Sequence, residues 1–412
     1  MLTNYTYQKK LFALVIFSFN TILIAFSPYL SLALLFLSLT LAQVFFGKKS
    51  YIYFLPLLII LLAYLASSRG IFETPKDDLS DYYKNFIAIN NGNLMALFEW
   101  GQGVEIGLPI VSLIISLILP EAPPRLFLFC HLVIIFGLFF WYLNKFFIAK
   151  STNPAIYIFV ICLFLGFTGI GNLLRQSYSS IFILASFGYV GRKKIFLIML
   201  ATLFHFSSPI IYLLISWLIR PNKKKLFFTL ISSIIFYALV WQILLPTIDQ
   251  FSFLKLTAYV TRENEGLELS TIIRAYKEVA LLGIVGLAYY FLNYWKSLAA
   301  VYFSIIFLTI TILLELVLPG ISLRINHAII SFCIGPIVFY ILTAEKSLSL
   351  FSVSIFIPCL FLLKTLSFIT NPNDMALFND KILIYSKPFA YIDFLDEDIP
   401  NNKRVWKKLK YE

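Results

Sequence analysis

Apolar stretches of about 17–25 residues recur along the whole of this chain, and each is long enough to cross a bilayer as an α-helix. Inside a bilayer the backbone finds no water, so each stretch must satisfy its own N–H and C=O groups as a helix. The chain is 60% hydrophobic and only 13% charged. The sequence therefore predicts an all-α, polytopic integral membrane protein. We expect about 11–13 transmembrane helices, with one or two of them re-entrant or broken.

The cations predict the topology. Clusters of lysine and arginine lie at 9–10, 48–49, 192–194 and 220–225. Such clusters mark the cytoplasmic side of a membrane protein, so the N-terminus is expected to be cytoplasmic. The formal charge of +12 is explained in this way, and no nucleic-acid partner is expected. We expect one integral membrane domain over 1–369, periplasmic loops at about 69–125 and 246–278, and a polar C-terminal tail over 370–412.

Three segments depart from simple spans. Val104–Leu119 is apolar but short, and Pro120 follows it, so we expect a re-entrant or tilted helix. Leu79–Leu97 is expected to be an interfacial helix, with Tyr82, Tyr83, Phe86 and Ile89 near one face.

The segment 195–219 is apolar but basic at both flanks, which conflicts with a single span. A break at the sequence HFSSP would turn it into a hairpin with both basic flanks on the cytoplasmic side. Serine side chains can satisfy backbone groups that Pro209 leaves free. His205 is then expected at the tip of this hairpin, on the periplasmic side.

Arg175, followed by Gln176, lies at the boundary of two apolar segments. An arginine there costs a few kcal/mol or more unless a partner, a water-filled cavity or an anionic ligand compensates it. Guanidinium groups bind phosphates through charge-assisted, bidentate hydrogen bonds. We therefore expect an anionic, lipid-linked ligand. The charged candidates of the periplasmic half are Arg69, Arg175, Arg324, His205, Asp78, Asp81 and Glu105, with Gln176 and Tyr82 beside them.

Motifs of soluble enzymes and of metal sites are missing from the sequence. It contains neither a GxxxxGK[ST] phosphate loop nor an HExxH metal motif. The cysteines lie within apolar runs and form no CxxC pair, which is typical of small buried side chains. No cofactor and no metal site is expected.

Five stretches, and their order along the chain, resemble the EpsG-like, Wzy-type polysaccharide polymerases of bacterial surface-glycan pathways. The most specific is Asn172-Leu-Leu-Arg175-Gln176, which leads into an apolar helix. The others are Arg69 with the later Asp78-Leu-Ser-Asp81-Tyr82, Glu105-Ile-Gly107, Ala201-Thr-Leu-Phe-His205-Phe-Ser207, and Arg324. The resemblance covers most of residues 50–345. Which of Asp77, Asp78 and Asp81 corresponds to the family's acidic residue stays open.

The resemblance implies a glycosyltransferase at the periplasmic face of the bacterial inner membrane. It would join oligosaccharide repeat units carried on undecaprenyl diphosphate into O-antigen, capsule or exopolysaccharide chains. Arg175, Arg324, Arg69, Gln176, Asp78 and Tyr82 are then expected to bind substrate. The proton acceptor would be His205, Glu105 or Asp81. Membrane lipid, a chain-length regulator and a flippase of the same pathway are the expected partners.

Two alternatives remain from the sequence. A flippase for lipid-linked oligosaccharides would need charged groups along a path through both leaflets, usually with internal repeats. An O-antigen ligase, or another glycan-transferring enzyme, would usually carry a very large periplasmic loop between late spans.

Overall fold

A computed structural model describes residues 2–24, 26–67, 78–151, 153–218, 231, 321–336 and 339. Regular structure in these residues is helical, as predicted, and includes no strand. The described α-helices are α1 (Leu2–Ile24), α2 (Pro28–Phe46), α3 (Leu55–Ser67), α4 (Leu79–Asn90), α5 (Gly107–Ile118), α6 (Pro124–Phe146), α7 (Pro154–Leu163), α8 (Phe167–Asn172), α9 (Leu174–Ser186), α10 (Arg192–Phe204), α11 (Ser208–Leu218) and α12 (Ile321–Phe332). Short 3-10 helices span Lys48–Tyr53, Leu94–Phe98, Gly101–Gly103 and Ile148–Lys150.

The chain divides into two compact units. The first comprises Met1–Ser208 and Leu348–Glu412, and the second comprises Pro209–Ser347. Helices α1–α10 belong to the first unit, and α12 belongs to the second. The expectation of one integral membrane domain over 1–369 stays a prediction.

Local sequence signals explain where several helices begin. Ser27 caps α2, because its hydroxyl accepts a hydrogen bond from the Leu30 N–H at 3.1 Å. Asn153 caps α7 in the same way through the Ile156 N–H at 3.3 Å. Proline occupies the first turn of α2, α6 and α7, where its missing N–H leaves no helical bond unmade.

Apolar helices dominate the first unit. By length and composition, one described helical stretch, the 27 residues of Pro124–Lys150, could cross a membrane. Five further apolar helices are shorter, at 10–17 residues: Lys10–Ile24, Leu30–Phe46, Leu55–Ser67, Gly107–Ile118 and Pro154–Leu163.

Helix α9 lies in the interior of this unit and packs against α6, α8 and α10. Every residue of α9 except Arg175 is buried. Ser177, Ser179 and Ser180 are small, which lets neighbouring helices approach closely. The N-terminal turn of α9 thus presents one partly exposed side chain, that of Arg175.

The structure refines three of the predicted segments. The predicted interfacial helix is α4, but it ends at Asn90. Its apolar face was expected to lie against lipid. In the structure this face is buried inside the protein through Tyr82, Phe86 and Ile89. Helix α5 is short, as the tilted or re-entrant interpretation requires, with 12 residues.

The predicted break near His205 is confirmed. Helix α10 ends at Phe204, and α11 begins at Ser208. His205 itself has extended backbone angles, with φ of −153° and ψ of 120°. The periplasmic loop expected at 246–278 and the polar tail expected over 370–412 lie outside the described residues.

Candidate active site

A glycine-rich loop before α5 shapes the site. Gly101, Gln102 and Gly103 have positive φ values of 57°, 57° and 87°. Glycine adopts this region without strain, whereas Gln102 does so at a cost. A Cβ at Gly101 would lie 2.4 Å from Cγ of Glu105, so glycine is also needed for space. The tight turn directs Glu105 inward, where only 4% of its surface is exposed.

Glu105 joins three parts of the first unit through hydrogen bonds. Its Oε2 accepts from Nη1 of Arg175, at the start of α9. Its Oε1 accepts from the Phe206 backbone N–H at 2.8 Å and lies 3.0 Å from Nδ1 of His205. Both carboxylate oxygens are therefore engaged within the protein. Because both oxygens are engaged, Glu105 is suited to holding these three parts of the site together.

The environment of Glu105 keeps it ionised. Burial by itself would raise the pKa of this carboxyl group, because the charged form loses hydration. The hydrogen bonds from His205 and the Phe206 N–H oppose that effect, and so does the positive charge of Arg175. Together they lower the pKa of Glu105 from 4.5 to about 2.

Arg175 is held by an aromatic pair as well as by Glu105. Its guanidinium lies 5.1 Å from the ring centroid of Trp100 and 5.5 Å from that of Tyr82. Such contacts with aromatic faces stabilise a cation. Nε of Arg175 also lies 3.5 Å from the Tyr82 hydroxyl, which in turn donates to Oδ2 of Asp78 at 3.3 Å. With 18% of its side chain exposed, Arg175 remains accessible to a ligand.

His205 has both ring nitrogens engaged. Nδ1 faces the Glu105 carboxylate, and Nε2 lies 3.0 Å from Nε2 of Gln176. An amide N–H can only donate, so this arrangement assigns His205 the neutral tautomer with the proton on Nδ1. Oε1 of Gln176 is buried with no hydrogen-bond partner.

Asp81 is the exposed acid of the site. It lies in the first turn of α4, one residue before Tyr82. Partial burial raises its pKa above the usual value, and the charges of Asp78 and Glu99 act in the same direction. Lys84 and Arg175 oppose this effect through their positive charges.

Buried residues of α5, α6, α9 and α10 pack against one another and support the site. The ring of Phe204, which precedes His205, stacks on Tyr178 at a centroid distance of 4.6 Å. The Tyr178 hydroxyl lies 3.1 Å from Nδ1 of His131 on α6. Phe204 also packs on Gly107, where a Cβ would lie 2.7 Å from the ring. These contacts fix the end of α10, and with it His205, relative to α5 and α9.

A family model described as the EpsG family matches residues 52–386, which is most of the chain. The chain belongs to the EpsG family. No curated protein and no solved structure gives a significant match to it. The match to the EpsG family confirms the resemblance noted in the sequence. EpsG membership places the protein among membrane proteins of polysaccharide biosynthesis, in a family associated with glycosyltransferase-like polymerases.

The structure of this EpsG protein brings most of the sequence candidates together. They are Arg175, Gln176, His205, Glu105, Tyr82, Asp78 and Asp81. Arg69 lies outside the described residues. Arg324 lies within α12, which belongs to the second unit. Its side chain is also outside the described part.

Sequence reasoning missed two contributors to the site. Trp100 provides an aromatic face for Arg175, and its position directly before Gly101 was the available signal. The Phe206 N–H is a backbone donor, which residue types alone do not reveal. Among the described residues, no group of three or more His, Cys, Asp or Glu side chains is arranged to hold a metal ion.

Proposed function

We propose that this EpsG protein polymerises undecaprenyl-diphosphate-linked oligosaccharide repeat units at the periplasmic face of the bacterial inner membrane. The products would be O-antigen, capsule or exopolysaccharide chains. One observation carries the proposal. Arg175 lies partly exposed against the rings of Tyr82 and Trp100 and is held by Glu105. The acid Asp81 directly precedes Tyr82. A fixed arginine can stabilise a departing diphosphate, and a neighbouring acid can accept the proton of the attacking hydroxyl.

The reaction assigned to this site transfers a growing glycan from one lipid carrier to another. A hydroxyl of the acceptor repeat unit forms a bond to the anomeric carbon of the donor glycan. The bond between that carbon and the diphosphate oxygen breaks, and the electron pair leaves with the diphosphate. Arg175 stabilises the charge that develops there, because a preorganised cation acts most strongly where charge appears in the transition state. The hydroxyl proton passes to a carboxylate.

Asp81 is our choice for that carboxylate. Glu105 is a poor base, because its pKa is about 2 and both its oxygens already accept hydrogen bonds. His205 has no free ring nitrogen in the observed arrangement. Asp81 is exposed, and its raised pKa brings its basicity closer to what a general base needs. In this mechanism Glu105 and His205 position Arg175.

The remaining assignments complete the proposal. The protein is multi-pass, with a cytoplasmic N-terminus and the loop that carries α4 in the periplasm. Gln176, Tyr82 and Asp78 shape the diphosphate site around Arg175. Arg69 and Arg324 stay predicted substrate-binding residues. A flippase and a chain-length regulator would act before and beside this protein.

The test compares two arginine variants in a strain that lacks the gene. The strain is complemented with the intact protein, with Arg175→Ala or with Arg192→Ala, and its surface glycans are separated on a gel. Arg192 is exposed at the start of α10 and serves as the matched control. Immunoblots of membranes confirm equal amounts of protein.

The intact protein and Arg192→Ala should both restore a ladder of long chains. Arg175→Ala should leave a single repeat unit on the carrier or the acceptor. Normal chain lengths with Arg175→Ala would overturn the assigned role of this residue. Repeat units trapped on the cytoplasmic face of the inner membrane in the deletion strain would show that the protein is a flippase and not a polymerase.

A further inference from the structure

A polar cleft lies beside the site and has no role in the chemistry described so far. It has a volume of about 410 Å³ and is formed between α4 and the 3-10 helix Leu94–Phe98. This volume falls at the small end of the range of about 300–1,000 Å³ that is usual for ligand sites. Its lining includes Lys84, Asn85, Ala88, Asn93, Met95 and Glu99.

Asn85 holds this cleft in shape. It is only 1% exposed, and its Nδ2 donates to the Ala96 carbonyl at 2.8 Å and to Oε2 of Glu99 at 2.5 Å. The side chain of Glu99 is thereby fixed at the rim. Oδ1 of Asn85 is buried without a hydrogen-bond partner in the described part of the protein. A buried polar atom without a partner is rare in proteins and favours a site that a ligand or water completes.

The lining has the chemistry of a glycan site. A carboxylate, an ammonium group and amides offer both donors and acceptors, which suit the many hydroxyl groups of a sugar. Met95, which is 80% exposed, adds an apolar contact for the C–H face of a ring. The lining contains both a cation, Lys84, and an anion, Glu99, so the cleft does not favour a strongly charged ligand.

The position of the cleft relative to Asp81 gives it a role. Asp81 lies one helical turn before Lys84 and Asn85 on the same face of α4, and those two residues line the cleft. Asp81 also directly precedes Tyr82, whose ring contacts Arg175 of the proposed diphosphate site. The chain passes directly from Glu99, in the cleft lining, to Trp100, whose ring also contacts Arg175. Asp81 therefore lies next to both the cleft and the proposed diphosphate site.

We propose that this cleft binds the sugar end of the acceptor repeat unit and presents its hydroxyl to Asp81. The inference rests on the proposed polymerase function. It adds a second subsite, which recognises hydroxyl-rich glycan without its lipid or its diphosphate. The diphosphate of the donor glycan then binds at Arg175, and the acceptor repeat unit approaches from the side of α4.

Photo-crosslinking at two adjacent positions tests this subsite. The full-length protein in membranes carries benzoylphenylalanine in place of Met95, which lines the cleft, or of Leu94, which does not. Both side chains are exposed, at 80% and 61%, and both belong to the same 3-10 helix. The probe is the labelled repeat-unit oligosaccharide, released from the lipid carrier by mild acid and free of phosphate.

We expect cross-linking at position 95 and only background at position 94. Ala88→Trp should fill the cleft and abolish the signal. Glu99→Gln, a smaller change at the exposed rim, should weaken it about tenfold through loss of a charged hydrogen bond. Equal labelling at both positions, or labelling unchanged by both variants, would overturn the subsite. Labelling at position 95 by undecaprenyl phosphate instead of the oligosaccharide would also overturn it.

The same probe separates this inference from the proposed function. Cross-linking at position 95 should persist in Arg175→Ala, because the oligosaccharide carries no phosphate. If Arg175→Ala keeps long chains while position 95 is labelled, the assigned role of Arg175 fails and the glycan cleft stands. If Arg175→Ala loses long chains while position 95 stays unlabelled, the cleft fails and the polymerase stands.

Discussion

Glu105 accepts a hydrogen bond from Arg175, although 70 residues of chain separate the two. The bond joins the glycine-rich loop before α5 to the first turn of α9. Both side chains are largely withdrawn from water, with exposed fractions of 5% and 18%. Removing one partner of such a pair leaves the other charge uncompensated, which destabilises a protein by about 3–5 kcal/mol when the pair is fully buried.

Glu105→Gln should therefore impair both stability and activity. The amide can still accept from the Phe206 N–H, but it carries no charge for Arg175. We expect a lower melting temperature of the purified protein and loss of long glycan chains. Glu121→Gln, an exposed carboxyl group on the loop before α6, is the control and should change neither property. An unchanged melting temperature for Glu105→Gln would contradict the pairing.

The stability of the intact protein should depend on pH through Glu105. Folding lowers the pKa of this group from 4.5 to about 2. Its contribution is therefore complete above about pH 4.5 and is lost as the pH falls toward 2, where the folded form also binds the proton. The melting-temperature difference between the intact protein and Glu105→Gln should stay constant above about pH 5 and shrink below pH 4.5. A difference that persists undiminished at pH 3 rules this out.

Gln176 should fix the orientation of the His205 ring. Its amide donates to Nε2 of His205, with 3.0 Å between the two nitrogens. Gln176→Leu removes this hydrogen bond, so we expect shorter glycan chains on the surface-glycan gel. Gln8→Leu, at an exposed glutamine of α1, is the control and should leave chain length unchanged. Normal chain lengths with Gln176→Leu would show that His205 does not need this contact.

Gly107→Ala should disturb the end of α10. The added Cβ would lie 2.7 Å from the ring of Phe204, which cannot easily move because it stacks on Tyr178. Overpacking of this kind costs about 1–3 kcal/mol. We expect a lower melting temperature and shorter glycan chains, partly restored by a second change, Phe204→Leu. Gly137→Ala is the matched control, since a Cβ there meets nothing within 4 Å.

Gly101 and Gly191 separate backbone strain from crowding. Both have positive φ, at 57° and 60°, so alanine should strain the chain at either position. A Cβ at Gly101 also collides with Glu105, whereas one at Gly191 meets nothing within 4 Å. Gly101→Ala should abolish long chains, and Gly191→Ala should lower only the melting temperature. Equal effects on chain length would show that the loop does not act through Glu105.

The sequence predicted helices, and it predicted the break at His205, because apolar length and the HFSSP motif are local signals. It also identified Arg175 and Glu105 as candidates, since charges beside apolar segments are costly. It could not predict that Glu105 holds Arg175 and His205 together, because that arrangement depends on packing between distant helices. For the same reason it assigned the apolar face of α4 to lipid, whereas α4 buries that face through Tyr82, Phe86 and Ile89.

In the proposed reaction, the pairing of Arg175 with Glu105 would also affect how often the protein can repeat its cycle. An arriving diphosphate would compete with an internal carboxylate for the same guanidinium, so part of its attraction would be offset. The spent carrier, still anionic, would leave more readily because Glu105 would take its place. An arginine without this partner would hold the product more tightly. The internal ion pair would therefore favour rapid turnover over tight binding, which suits a chain that grows by many successive additions.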